Sequence, residues 1–367
     1  MRAQPHTVMM VTAGIILIAS AVLAGLFVRL TPEQVLGGQI LAPQTVTPQT
    51  GTISYTLPEG TDAGKVGDDL QDLGVIRSSS QFQVLAALLG VHDQLSAGDY
   101  ILPLGAAIPV VLQAITVQEQ VPVIKVTFPE GLRIEEMADI AETAGFGPAA
   151  SFLAAAAAPK LPPEMSASLP EGDRVLGARF QGYLFPDTYI LPVGSTAEQL
   201  VQEMVANLNS RFSPALRAAA AAQGLSIHQA LTLASIVERE AVLESERPII
   251  ASVYLNRLRI GMKLDADPTV QFALTADAAN VTKGGYWKLG LTLEDLKYPS
   301  PYNTYANAGL PPGPIANPGL ASIEAVANPA TTQYFYFVAD SIKGDGSHVF
   351  AETLEQHLAN DARVGGG

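Results

Sequence analysis

One carboxylate, Glu238, stands inside the apolar stripe of a predicted helix, Leu231-Thr-Leu-Ala-Ser-Ile-Val-Glu238-Arg-Glu240. Ser226 with Gln229 three residues on reads as a capping box, which predicts a helix from Ile227. At about 100° per residue, Ile227, Ala230, Leu231, Ala234 and Val237 share a face that includes Glu238, with His228, Thr232, Ser235 and Arg239 opposite. Burial disfavours an ionised carboxylate, and a neighbouring Glu240 would act in the same sense. The Glu238 carboxyl is therefore expected to be raised toward the range a general acid needs near neutral pH. The competing reading ends the helix one residue early and leaves Glu238 in solvent.

Other chemistries lack their signals. The chain has no cysteine, no Gly-x-Ser-x-Gly and no Ser-x-x-Lys, so serine and cysteine nucleophiles find no local support. His6, His92, His228, His348 and His357 are scattered without metal-ligand spacing, and no phosphate-cradling glycine loop is present; neither a metal nor a cofactor is expected. A net charge of −14 argues against nucleic acid as a partner. What remains is carboxylate chemistry beside Asn256, Asp267, Gln271, Tyr302, Asn303 and Tyr305 on proline-bounded segments. Rings that stack on sugar faces and amides that pair with hydroxyls suit a polysaccharide groove. The same residues would equally suit a long loop pinned over a core.

The elements that must position these groups follow from patterning. Residues 8–28, Val8 to Val28, form an uncharged apolar run between Arg2 and Arg29, long enough to span a membrane. Ala19-Ser-Ala21 and Val22-Leu-Ala24 resemble processing sites, but the apolar run continues past both, so an uncleaved anchor is expected. Residues 1–7 would be a short cytoplasmic tail, with the bulk translocated and residues 29–50 serving as a Pro/Gln/Thr-rich linker. From 51 to 120 a β-α-α-β module is predicted, with strand residues Ile53, Tyr55 and Leu57, a helix through Val66 and Leu70, a second helix from Phe82, and a strand near Tyr100. Leu57-Pro-Glu-Gly60 recurs as Phe128-Pro-Glu-Gly131, with a matching helix and glycine stop, which predicts a second such module over 121–147 within a larger domain, 121–367. The Ala/Pro-rich stretch 148–173 reads as an insertion. Helices are expected over Leu200–Phe212 and Pro214–Gln223, ordered loop over 283–318 and a buried strand over Thr331–Ala339. The fold class is α+β, with the Glu238 helix flanking a sheet.

Three runs carry a resemblance: Leu233-Ala-Ser-Ile-Val-Glu238, Ala251-Ser-Val-Tyr254 through Asp267-Pro-Thr-Val270, and Tyr302-Asn-Thr-Tyr-x-x-x-Gly-Leu-Pro-Pro-Gly-Pro-Ile315. With Tyr334-Phe-Tyr-Phe-Val-Ala339, they closely resemble the YceG-like family of MltG-type endolytic murein transglycosylases. The resemblance implies an anchored enzyme of the bacterial inner membrane, single-pass, with a LysM-like module and its catalytic domain on the periplasmic side. It places Glu238 at the family's catalytic position and implies peptidoglycan strands as substrate, with cell-wall synthases in the same membrane as partners. The implied reaction cuts the β-1,4 bond from N-acetylmuramic acid to N-acetylglucosamine; the muramyl 6-hydroxyl attacks its own anomeric carbon and leaves a 1,6-anhydro end. One carboxyl can serve that reaction first as acid and then as base, whereas ordinary glycosidases need two. Glu240 and Gln181 are further candidates for substrate contact. Gln181-Gly182 stands where the family pattern has Glu-Gly, and His348-x-Phe350 matches a family element. Two alternatives are a non-catalytic peptidoglycan-binding scaffold and a glycoside hydrolase pairing Glu238 with Asp267 or Asp187.

Overall fold

The computed structural model describes residues 51–116, 122–170, 180–276, 281, 285–288 and 290–364; the apolar run Val8 to Val28 and the linker to Thr50 lie outside the described residues. None of the described helices is long and apolar enough to cross a membrane.

The first module is a β-α-α-β unit. Strand β1 (Thr52–Leu57) pairs antiparallel with β2 (Gly98–Pro103), Tyr55 opposite Tyr100. Helices α1 (Ala63–Asp72) and α2 (Ser79–Leu88) intervene, and α3 (Ile108–Thr116) follows. Asp62 starts α1 by accepting from the Gly64 and Lys65 N–H groups. Alternation along β1 turns Tyr55 and Leu57 inward onto Val66, Leu70 and Phe82, all buried.

The second module repeats this plan. Strand β3 (Val123–Thr127) pairs antiparallel with β4 (Thr188–Pro192), Val126 opposite Tyr189. Between them lie α4 (Ile134–Ala144), α5 (Ala149–Ala156) and the short α6 (Pro163–Ala167). Gly145 ends α4 with φ 97°, a left-handed cap that costs glycine little. The 148–173 stretch is therefore not wholly an insertion. Its alanines form α5, and Phe152 and Ala156 are buried in this module as Phe82 and Ala86 of α2 are in the first. The module extends beyond residue 147 to its return strand β4.

The remaining core is helical. Helices α7 (Ala197–Arg211) and α8 (Pro214–Ala222) lead to α9 (Ile227–Glu240), followed by α10 (Arg247–Arg259), α11 (Asp267–Leu274) and, after long loops, α12 (Leu320–Ala327). Helix α9 packs chiefly on α10 and α12 and is enclosed by helices and loop rather than laid on a sheet, which corrects the expected arrangement. The strand expected over Thr331–Ala339 is shorter and only half-buried: β5 (Tyr336–Ala339) pairs with β6 (His348–Ala351) alone. Helix α13 (Leu354–Val364) follows the hairpin. The α+β class holds, with the described strands in three two-stranded antiparallel sheets.

Candidate active site

Helix α9 carries the site. Ser226 and Gln229 form the capping box, and the helix continues through Glu240, so Glu238 is not left beyond its end. Both faces are covered: residues 230–237 are all buried, and so is His228. The polar side chains are satisfied locally and by the loop that lies over them. The His228 ring meets the Tyr183 hydroxyl at 2.9 Å and the Pro312 carbonyl at 2.7 Å, Thr232 donates to the His228 carbonyl, and the Ile315 N–H donates to Ser235 Oγ at 3.0 Å. Buried polar groups paired in this way fix the loop to the helix.

The Glu238 side chain is 7% exposed. Its Oε1 lies 3.3 Å from Arg247 Nη2, and its Oε2 accepts the Gly319 N–H at 3.0 Å. Arg247, the first residue of α10, is steadied by donating from Nε to Ser322 Oγ at 3.1 Å. Gly319 is the N-cap of α12 and supplies no side chain of its own to that helix end. Thus α9 presents the carboxyl, α10 the cation and α12 a backbone donor.

A second carboxyl reaches the same place from the Pro-Glu-Gly turn. A Cβ on Gly319 would collide with both oxygens of Glu130. The turn is held by reciprocal backbone bonds, Gly131 N–H to the Asn317 carbonyl at 2.9 Å and Asn317 N–H to the Leu132 carbonyl at 2.8 Å. Asn317 Oδ1 in turn accepts from the Gly182 and Leu184 N–H groups at 3.0 and 3.1 Å. Partial burial of the carboxyl, and then the charge of Glu238, push Glu130 above its ordinary value, with Arg247 opposing. Arg239 turns aside, its guanidinium 3.9 Å over the Trp287 ring.

The model of the YceG-like family matches residues 55–363. The chain belongs to the YceG-like family. An endolytic murein transglycosylase of Bacillus subtilis is 31% identical over 333 residues, covering 88% of this chain and 87% of that protein. One of Streptococcus pneumoniae serotype 2 is 30% identical over 331 residues, covering 84% of this chain but 58% of its own length. The crystal structure of a yceG-like protein from Listeria monocytogenes matches with TM-score 0.54 at 31% identity, over 85% of this chain and 100% of that one.

Other expected site residues of this YceG-like protein are placed elsewhere. Glu240 does not face Glu238. About 200° separates the two positions on the helix, and the Glu240 carboxyl accepts from Tyr254 Oη at 2.7 Å. Burial raises it to about 7, with Asp267 adding and Arg257 and the Tyr254 bond opposing. Tyr302 and Asn303 are buried and do not wall a groove. Asn303 Nδ2 donates to the Leu296 and Tyr298 carbonyls, and Oδ1 accepts from the Tyr305 and Ala306 N–H groups, so it organises a turn. Asn256 donates to the Thr332 and Tyr334 carbonyls, and Gln271 to the Lys288 carbonyl. Only Asp267 and Tyr305 of this group combine at the surface, at 2.6 Å, on the Glu240 side.

Gln181 is buried, accepting from the Ile134 N–H at 3.0 Å and donating to the Ile315 carbonyl at 3.2 Å. An amide suits that position because it must both accept and donate. Asp187 is engaged by Arg211 and Asn207, each at 3.0 Å. His348 binds Glu246 at 2.7 Å through Nδ1, and its N–H also donates to that carboxylate, tying β6 to the residue before Arg247. A cleft of about 520 Å3 borders the start of α9, with His228, Thr232, Leu255 and Leu310 in its wall; Glu238 and Glu130 do not line it. Among the described residues, no cluster of three or more His, Asp or Glu side chains could hold a metal ion. Sequence reasoning missed Glu130 and Arg247. The recurring Pro-Glu-Gly was a usable signal for the first, and no local pattern marked the second.

Proposed function

We propose that this protein is an endolytic murein transglycosylase, cutting the β-1,4 bond between N-acetylmuramic acid and N-acetylglucosamine within peptidoglycan strands to leave 1,6-anhydro ends. The observation that carries this reading is the Glu238 carboxyl, nearly enclosed at the end of a buried helix and held by Arg247 and the Gly319 N–H. Relatives named for this activity match across most of the chain. Glu238 is the proton-transfer group. A carboxyl there protonates the leaving oxygen as the glycosidic bond breaks, then takes the proton of the muramyl 6-hydroxyl as that oxygen closes on the anomeric carbon. A pure binding scaffold has no use for a carboxyl whose enclosure carries a desolvation cost.

The first 50 residues act as a single-pass anchor and linker in the bacterial inner membrane, with the enzyme outside the cytoplasm. The 51–120 segment is a LysM-like glycan-binding module, and cell-wall synthases in the same membrane are the partners. The length and apolarity of the Val8 to Val28 run support the anchor, and the β-α-α-β arrangement supports the module. Mass spectrometry of a peptidoglycan digest by the full chain tests the activity: internal fragments with anhydro ends are expected, and reducing ends alone would make the enzyme a hydrolase. Alkaline extraction of membranes tests the anchor, which is expected to resist extraction in the full chain and to be lost on deletion of residues 1–50.

A further inference from the structure

The site holds two carboxyls and one guanidinium around a single glycine. Glu238 accepts the Gly319 N–H, while the Glu130 carboxyl occupies the space where a side chain on Gly319 would stand. Gly319 has φ −75°, a value open to any residue, so its backbone does not require glycine. The close approach of Glu130 does. Glu130 cannot simply swing away with its turn, because the Gly131–Asn317 and Asn317–Leu132 backbone bonds clamp it. Its residue is nevertheless exposed, so the carboxyl pair has an open side.

We propose that Glu130 is a positioning carboxyl that acts through Glu238, the two sharing one proton across Gly319. This rests on the reading of Glu238 given above. Like charges held close cannot both ionise freely, and Arg247 balances only one of them. The other charged groups facing Glu130 are Glu244 and Asp187, which add negative potential; Arg239, beside the turn, donates to the Gly131 carbonyl and stacks on Trp287. Glu130, whose own proton is held by partial burial and by the charge of Glu238, keeps a proton available to Glu238 for the reaction. That proton passes to the glycosidic oxygen as its bond to C1 breaks. The proton of the 6-hydroxyl goes to Glu238 as O6 bonds to C1, so the pair ends as it began and no water is consumed.

The test uses the full chain in detergent on purified peptidoglycan strands, with anhydro ends counted from pH 5 to 9 for the wild type, Glu130→Gln, Gly319→Ala and Glu238→Gln. Glu130→Gln is expected to keep its melting temperature and its KM within about threefold, and to lose roughly tenfold to a hundredfold in kcat at pH 7. Its activity should also fail at lower pH than the wild type's, because without the opposing charge the proton leaves the site sooner. Gly319→Ala, which displaces Glu130 but keeps the backbone donor, should move the profile in the same direction. A wild-type pH profile and kcat in Glu130→Gln, alongside an inactive Glu238→Gln, would overturn the proposal and leave the function standing. So would a loss confined to KM. Absence of anhydro ends from the wild type would instead overturn the functional reading, and this proposal with it.

Discussion

Leu57-Pro-Glu-Gly60 and Phe128-Pro-Glu-Gly131 are built alike and surrounded differently. Each closes a strand, turns on a glycine with φ 75° and leads into a helix whose module ends in an antiparallel return strand. Glu59 and Glu130 are both exposed residues, but around the first turn a Cβ on Gly60 would meet nothing within 4 Å. The second turn is clamped to Asn317 by backbone bonds, and a Cβ on Gly131 would stand 3.4 Å from Glu238 Cγ. Local residues make the turn in both places. What docks on it decides whether its glutamate has anything to act on.

Several substitutions would sharpen or break that contrast. Arg247→Met should have the largest effect, because it strips the cation from two carboxyls in the second turn's surroundings and leaves Glu238 enclosed without its partner. A loss on the order of 3 kcal/mol is expected by denaturant titration, with activity falling about a hundredfold; a stability change near zero would show that the pair contributes little.

Glu240→Gln asks whether every raised carboxyl near Glu238 belongs to the chemistry. Glu240 titrates near 4.5 unfolded and is raised to about 7 in the fold. Its contribution is therefore intact below pH 4.5 and lost as pH rises through 7. The variant should match the wild type in melting temperature at pH 4 and gain on the order of 2 kcal/mol at pH 8, with the acid-side activity profile unchanged. A shifted activity profile would place Glu240 in the reaction.

Gly60→Ala and Gly131→Ala should each lose about 1 kcal/mol, since both force a side chain into the left-handed region. Only Gly131→Ala should also lose activity, because its strained turn is the one clamped to Asn317 and in contact with Glu238 and Arg239. Equal activity losses would erase the distinction between the two turns. Smallest of all, Glu59→Gln should leave stability within about 0.5 kcal/mol and the pH profile unchanged.

The readable parts of the site were local. A capping box and a 3.6-residue period placed Glu238 on an enclosed helix, and both survive in the fold because they need no distant partner. The doubled strand-turn-helix was legible for the same reason. Arg247 had no local mark, and the repeated Pro-Glu-Gly marked Glu130 only as part of a turn; the roles of both arise when α10 and the Asn317–Gly319 turn meet the end of α9. Tyr302 and Asn303 misled in a specific way: rings and amides that pin a loop have the composition of a sugar site, and only the bonds from Asn303 to the Leu296 and Tyr298 carbonyls tell the two apart. The alanine run of α5 concealed a module helix because its burial depends on Phe152 and Ala156 alone.

The most direct measurement digests purified peptidoglycan with the full chain and with Glu238→Gln, reading product ends by mass spectrometry. Internal fragments ending in 1,6-anhydromuramic acid from the wild type, reduced at least a thousandfold (~4 kcal/mol) in the variant, are expected. Anhydro ends made equally well by Glu238→Gln would contradict the account.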